Sequence, residues 1–596
     1  MDVFRVRPMP GTSFPPAQQQ HFAEELTRMV ALLDDNRVQD VRRAVNRRLI
    51  ETLGRSRSAF SGLLYPIHIR FDNEQSPTDT VMDIRSTDTP AFLYAFANAL
   101  TIRGLYIRKA QFEHVGAELH DRFYVRDRHE RKIGDPAEQQ ELRLTAALIK
   151  QFTHFLTWAP DPAKAIEYFD RFLDQIVEES RSGRTLAFLK DKKTLALLAK
   201  LLGTSDFLWE DFLRRQHANL LPMLDNFQRQ PLIRPRGALV RDLRRHLAKA
   251  RGPAQRRRAL NHYKDQELFR IDMKHLLEPE STLPEFSQAL TDLAEVILDQ
   301  AVRDGQALLA RLHGKPRLAD GNPCSFSIFG LGKFGGRELG YASDIEVLFV
   351  YGGAGRTTGP KPLDNSEYFE RLTQEVIQSI EAKQEGIFHL DVRLRPHGGK
   401  GLLANSLDEL QAYYSPTGLS APFERQALIK LRFVAGDATL GKQVEAHRDS
   451  FVYSGAPWDL ATAIDLRREQ LKQLVERGTV NVKLSPGGVI DIEYAVQYLQ
   501  VMHGHQHAVL RTPNTMQALA GLVECGIVGR QDGENLRKAY FFIRMLIDGL
   551  RMVRGNAKDL VLPPSDSDEF IFLARRVGYT TDDWQSGARH LQTDIE

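Results

Sequence analysis

Residues 325–351 read SFSIFGLGKFGGRELGYASDIEVLFVY, and the fold turns on how Ser325 to Tyr351 are parsed. The apolar run Phe326 to Phe329 predicts a buried strand, a glycine-rich turn follows, and Ile345 to Tyr351 predict a second strand. Asp344 and Glu346 stand at the mouth of that second strand. Residues two apart on a strand share a face, so both carboxylates point one way while Ile345 and Val347 turn to the core. A divalent cation between them relieves their repulsion, and Mg²⁺ suits one or two carboxylates completed by water and phosphate. The turn supplies a complement: without Cβ atoms in the way, the backbone amides of Gly332, Lys333, Gly335 and Gly336 can approach a triphosphate. Standing alone, the same residues also fit a tight turn with a solvated acidic strand end.

Other parses fare less well. Gly330-x-Gly332-x-x-Gly335 satisfies the dinucleotide-binding spacing, yet Gly336 to Asp344 leaves no room for a full crossover helix before the next strand. His447-Arg448-Asp449 has a kinase-like wording, but Ser454 stands where a metal-binding Asn is needed and no Asp-Phe-Gly follows.

The order strand, Leu-Gly-Lys, Arg337-Glu338-Leu339, Ser343-Asp344-x-Glu346 resembles the polymerase-β-type nucleotidyltransferases. More closely, GLGKFGGRELGYASDIEVLFVY, LDVRLRPHGGKGLLANS, FERQALIKLRFVAGD and KLSPGGVIDIEYAVQYLQ resemble the bacterial glutamine synthetase adenylyltransferase family, over roughly Ala259 to Tyr579. That resemblance implies Asp391 as a third carboxylate. It implies two Mg²⁺ ions held by Asp344, Glu346 and Asp391, ATP as substrate, and a tyrosine of glutamine synthetase as acceptor. Ser343 and the amides around Gly332 and Lys333 would hold the triphosphate, with Lys430 of the FERQALIKLR segment as a further phosphate ligand. Arg393 and Arg395, two and four residues beyond Asp391, are expected on its strand face, either against phosphate or in salt bridges to the acidic cluster. His397 to Gly401 match a loop that closes over the nucleotide. Two departures stand out: Glu346 replaces the family's usual second Asp, and the chain has one catalytic head where the family has two.

The whole chain bounds these readings. Its 596 residues predict about three to five domains. Lys plus Arg total 80 against 77 for Asp plus Glu, so no global field calls for nucleic acid. The 2 cysteines, Cys324 and Cys525, lack disulfide or metal spacing. The start MDVFRVRPMPGTSFPP has no signal-peptide core and no run approaches a membrane span, so a cytoplasmic location is expected.

Along the chain, Ala17 to Arg55 predict a helical segment with a basic cluster (Arg42, Arg43, Arg47, Arg48). Thr80–Arg85, Thr89–Arg103, Tyr106–His114 and Glu118–Arg126 predict strand, helix, strand, strand, with Gly116 turning the hairpin. With Phe71-Asp72-Asn73-Glu74, Asp88-Thr89-Pro90-Ala91 and Phe123-Tyr124-Val125, this region resembles an ACT (ferredoxin-like) domain, similar to one in the nitrogen-sensing uridylyltransferase. The resemblance implies a small effector, glutamine or another, near Asp88, Pro90 and Ala91. Ala91 stands where the family has glycine, and its methyl group works against φ > 0 and ligand approach. Effector sensing and a purely structural or dimerising role both stay open.

Amphipathic helices are expected from Asp135 to Gly314, and the basic run Arg234 to Arg258 keeps Leu239, Leu243 and Leu247 at helical spacing, as a solvated face would. Helices return after Asp437. His503, His505 and His507 alternate without a positioned partner ligand. The fold class expected is multidomain α+β: an N-terminal helical segment (1–62), an ACT-like domain (63–135), a helical region (136–320), a nucleotidyltransferase mixed sheet (321–437) and a C-terminal helical bundle (438–596). The expected activity is AMP transfer to glutamine synthetase, or its removal by phosphorolysis. The wording leaves direction open, since Gly487 to Asp491 is similar to the transferring half of the family and LPPSDSDEFIFLARRVGY to the removing half. Uridylyl transfer to a nitrogen-regulatory signalling protein and a catalytically silent sensor are the alternatives.

Overall fold

The computed structural model describes residues 15–37, 40–41, 44–45, 48–49, 53, 67–87, 91–115, 118–153, 155–156, 159–180, 199, 202–203, 231–277, 282–382, 387–456, 458–554, 558–579, 581 and 583–596. Asp88, Pro90, Gly116 and three of the arginines near residue 45 therefore lie outside the described residues. The chain is a multidomain mixed α/β protein with two compact units, residues 1–217 with 564–596, and residues 218–563. Among the described residues no helix is long and apolar enough to cross a membrane.

In the first unit, β1 (Ile67–Asp72), β2 (Thr80–Thr87), β3 (Tyr106–Val115) and β4 (Glu118–Arg126) form an antiparallel sheet in the order β1-β2-β4-β3. Met82, Ile84, Phe123 and Val125 are buried, whereas Asp83, Arg85, Arg122 and Tyr124 alternate with them and stay at least partly exposed. That period-two pattern covers one face with the helix Phe92–Ile102, whose Phe96 meets Phe123 edge-on at 5.5 Å. Strand β1 was not among the expected strands, although Ile67, Ile69 and Phe71 alternate. Ala91 corrects a second expectation: it adopts φ 65° immediately before that helix, so its methyl group does not keep the backbone out of the left-handed region.

The second unit is built on the sheet β10-β7-β6-β11, with β6 (Phe326–Gly330), β7 (Ile345–Tyr351), β10 (Ala404–Ser406) and β11 (Arg432–Gly436); β9 (Leu390–Asp391) also pairs with β7. Strand β6 is buried along its whole length because helices cover both faces. Phe369 of the helix Asn365–Ser379 stacks on Phe326 at 5.3 Å and on Tyr351 at 4.8 Å. On the other side Phe329, Leu348 and Val350 share a core with Leu440 and Val444 of the helix Ala438–Val452. Strands β6 and β7 run antiparallel, with Phe326 opposite Tyr351. A dinucleotide-binding unit needs a parallel crossover at this point, so that parse is closed. After β7 the glycine-rich segment Gly352 to Gly359 contains β8 (Gly355–Thr357), which pairs with β5 (Pro316–Leu318).

The helices expected before the head are present at Pro136–Thr153, Pro162–Ser180, Arg236–Leu247, Pro253–Leu277 and Leu283–His313. Thr282 and Glu285 close a capping box at the start of the last of these. Much of the basic run is paired within the unit: Arg234 with Asp242 and Glu267, Arg236 with Glu295, Arg256 with Asp304.

Candidate active site

Strand β7 sets the geometry. In the parallel pairing of β7 with β9, Ile345 lies opposite Leu390 and Glu346 opposite Asp391, which makes the two carboxylates lateral neighbours on one sheet. Asp344 is tied to the same edge from both sides: the Ser343 carbonyl accepts from the Phe388 amide at 3.1 Å, and the Ile345 amide donates to the His389 carbonyl at 2.9 Å. Asp344 Oδ1 is buried and has no hydrogen-bond partner.

The glycine turn packs directly on Glu346. The Leu331 amide donates to the Glu346 backbone carbonyl at 2.9 Å, and Gly332 has φ 49°. A Cβ at Gly332 would sit 1.3 Å from Glu346 Oε2, so the carboxylate fills the space that only glycine leaves. Gly335 is equally constrained, since a Cβ there would meet the Lys430 carbonyl at 1.8 Å. The Gly335 carbonyl accepts from Arg432 Nε at 2.9 Å and the Gly336 carbonyl from Asn514 Nδ2 at 2.9 Å. The Ser343 hydroxyl accepts from the Gly340 amide at 3.0 Å.

The charges are uneven. Burial first, and then the neighbouring Asp391, push the Glu346 carboxyl above its usual range, while Lys483 and Lys333 pull the other way. Burial also opposes charge on Asp391, but the Arg393 guanidinium and amide outweigh it and hold that carboxyl low. Arg393 Nη2 reaches Asp391 Oδ2 at 2.6 Å and its amide reaches Oδ1 at 2.9 Å. Lys333 is pushed down to about 7, by burial first and then by Arg544; Lys483 and Arg551 add to this and Glu493 opposes it.

Two of the expected residues are placed differently. The strand expected through Arg395 ends at Asp391, because the Arg393 amide folds back onto the Asp391 carboxylate and breaks the ladder. Arg393 is thus a salt-bridge partner of Asp391. Arg395, instead of sharing its face, donates to the carbonyls of Val392 at 2.6 Å and Gly401 at 3.2 Å, bracing the His397 to Gly401 loop. Lys430 is buried, with Nζ 2.7 Å from Glu338 Oε2 and 2.8 Å from the Thr515 hydroxyl, so its contacts are to protein. Four further charged residues behind the turn, Glu493, Arg544, Asp548 and Arg551, were not expected. The signal for three of them was present in FFIRMLIDGLRMV, where Arg544, Asp548 and Arg551 interrupt an apolar helix at one-face spacing.

The donor set fits a divalent cation in part. The orphaned Asp344 Oδ1 and the crowded Glu346 carboxylate are suited to one. Among the described residues, however, no group of three acidic, histidine or cysteine side chains is assembled to hold a metal ion, and this includes the three histidines from His503 to His507. Arg393 on Asp391 is the local reason at the carboxylates.

Comparison with known proteins places these residues. Residues 195–447 match the family model described as glutamate-ammonia ligase adenylyltransferase. Residues 464–596 match a second model, described as GlnD PII-uridylyltransferase. Similar proteins include the "bifunctional glutamine synthetase adenylyltransferase/adenylyl-removing enzyme" of Thioalkalivibrio sulfidiphilus, 34% identical over 342 residues, which are 56% of this chain and 34% of the relative. The enzyme of that name from Stenotrophomonas maltophilia R551-3 is 35% identical over 398 residues, 66% of this chain and 40% of the relative. The Mycobacterium bovis enzyme is 32% identical over 342 residues, 56% and 32% of the two chains. The chain spans about a third of the length of these relatives. All of the proposed carboxylates fall inside the first matched segment.

Proposed function

We propose that this chain is an Mg²⁺-dependent nucleotidyltransferase of polymerase-β type, which moves AMP between ATP and a tyrosine of glutamine synthetase. The single observation that carries the reading is the lateral pairing of Glu346 with Asp391 beside the Asp344 orphan oxygen, within the segment that matches the adenylyltransferase family. Asp344 and Glu346 would hold the cations, and Asp391 would join them once Arg393 releases it. Bound Mg²⁺ supplies charge neutralisation at the α-phosphorus and on the departing pyrophosphate. Freed from Asp391, Arg393 would turn to an incoming phosphate, exchanging one charge-assisted partner for another. Asp391 then accepts the proton of the attacking tyrosine hydroxyl as the O–P bond to the α-phosphorus forms and the bond to pyrophosphate breaks. Lys333 and Lys483, both within electrostatic reach of Glu346, give the triphosphate two cations. The reverse direction, phosphorolysis of the AMP-tyrosine bond, uses the same groups.

The front sheet, by its resemblance to an ACT domain, would sense a small effector such as glutamine, and a nitrogen-regulatory signalling protein would be a further partner. The match of residues 464–596 to a uridylyltransferase model favours one second reading, UMP transfer to such a protein. Incubation with labelled ATP or UTP, each with glutamine synthetase or with the signalling protein, separates the two. Label from ATP on glutamine synthetase alone supports the first, label from UTP on the signalling protein replaces it with the second, and no adduct in any arm removes both.

A further inference from the structure

Asp344 follows a turn that the Ser343 hydroxyl closes on the Gly340 amide and that is strained at Ala342. Ala342 lies in the left-handed region at φ 54°, a cost of about 1–2 kcal/mol for a residue with a Cβ. Strain of that kind persists where surrounding contacts over-determine the backbone. Here they come from one face of the helix Arg530–Arg554. Asp548 Oδ1 accepts from the Tyr341 amide at 3.2 Å, and Arg551 Nη1 donates to the Tyr341 carbonyl at 2.7 Å. One turn earlier Arg544 Nη2 donates to the Glu338 carbonyl at 2.8 Å. Arg544 and Asp548 are buried. A Cβ on Gly340 would lie 2.8 Å from Asp548 Oδ1 and 3.0 Å from Arg544 Nη2, so glycine is what lets the helix come this close.

We propose that Asp548 and Arg551 are positioning residues: by gripping both ends of the Tyr341 peptide they set the Ala342 turn and thereby the direction in which Asp344 presents its carboxylate. This rests on the reading of Asp344 as a cation ligand. The helix acts on Asp344 through the backbone from Tyr341 onward and through the charge of Arg551, which lies within electrostatic reach of Asp344. Removing either grip lets the turn relax toward negative φ, which swings Asp344 away from Glu346. The partner groups that orient metal ligands elsewhere are worth about 10–100-fold in metal affinity, and the same scale applies here.

The test is Mn²⁺ binding to the full chain, read from the free-ion electron paramagnetic resonance signal, in wild type, Asp344→Asn, Asp548→Ala, Asp548→Asn and Gly340→Ala. Expected are loss of the tightest site in Asp344→Asn and about 10-fold weaker binding in Asp548→Ala. Asp548→Asn keeps an acceptor for the Tyr341 amide and should recover most of the affinity. Gly340→Ala attacks the same contact from the other side and should weaken binding even if Asp548→Ala fails to fold. Loss in Asp344→Asn with wild-type affinity in Asp548→Ala, or in Gly340→Ala if the first is unfolded, overturns the positioning role alone. Equal Mn²⁺ binding by wild type and Asp344→Asn overturns the cation-site reading beneath it, and the positioning role with it.

Discussion

Among the described residues two alanines sit in the left-handed region, Ala91 at φ 65° before the helix Phe92–Ile102 and Ala342 at φ 54° two residues before Asp344. The intrinsic cost is alike, about 1–2 kcal/mol each. What holds them differs. Ala91 is held locally, its carbonyl accepting the Ala95 amide in the first turn of its own helix at 3.0 Å. Ala342 lies within the local Gly340–Ser343 hydrogen bond and is held in addition at long range, by a helix about two hundred residues on that grips the neighbouring Tyr341 backbone. Strain at the first position is a property of one turn, whereas strain at the second is a coupling between the proposed cation site and the bundle behind it.

The sharpest way to break that contrast is at the carboxylates the second turn serves. Asp344→Ala should lower AMP transfer by about 1,000-fold, with the melting temperature close to wild type because Asp344 has an unsatisfied oxygen to lose. Steady-state rates alongside a thermal melt check both halves. Gly332→Ala comes next: its methyl group meets the Glu346 carboxylate, and displacing that side chain by about 1 Å should cost about 100-fold in kcat. A rate within a factor of two of wild type would mean that Glu346 has room to move without consequence.

Lys333 gives a smaller, pH-dependent effect. Its ammonium is protonated below about 7, so a role in holding phosphate requires the KM for ATP to rise as pH increases through that value. Glu493 is one of the groups that favour its charge; Glu493→Gln should therefore move the break to lower pH. An upward move, or no break, would detach Lys333 from the nucleotide. The smallest effect belongs to the alanines themselves. Ala91→Gly should change stability by about 1 kcal/mol or less, toward gain, since relief of strain is offset by the freer unfolded chain. Ala342→Gly should show a similar stability change and keep Mn²⁺ affinity close to wild type, because glycine accepts the left-handed turn and the helix contacts that set it remain.

The sequence was readable where one short window carries the whole signal. The run Phe326 to Tyr351 has apolar blocks bounded by glycines, and β7 occupies Ile345–Tyr351 as its apolar run predicts, with β6 one residue longer than expected. The three-residue strands β5, β8 and β10 are too short to show a period, and β11 begins at Arg432 inside a segment read for its motif. Period-two reasoning failed beyond Asp391 for a physical reason, since a carboxylate that captures the amide two residues on ends its own strand. Lys430 shows the same limit: its charge is visible in the sequence, while its partner Glu338 lies 92 residues away. Partners at that separation, like Asp548 for Tyr341, leave no mark in a local window.

The most direct measurement is the intact mass of glutamine synthetase after incubation with this chain and Mg-ATP, beside the Asp344→Ala variant. The account predicts one added AMP per modified subunit with the wild-type chain, or its phosphorolytic loss from adenylylated enzyme, and no change with the variant. An unchanged mass in both directions with wild-type protein, or equal modification by the variant, would contradict it.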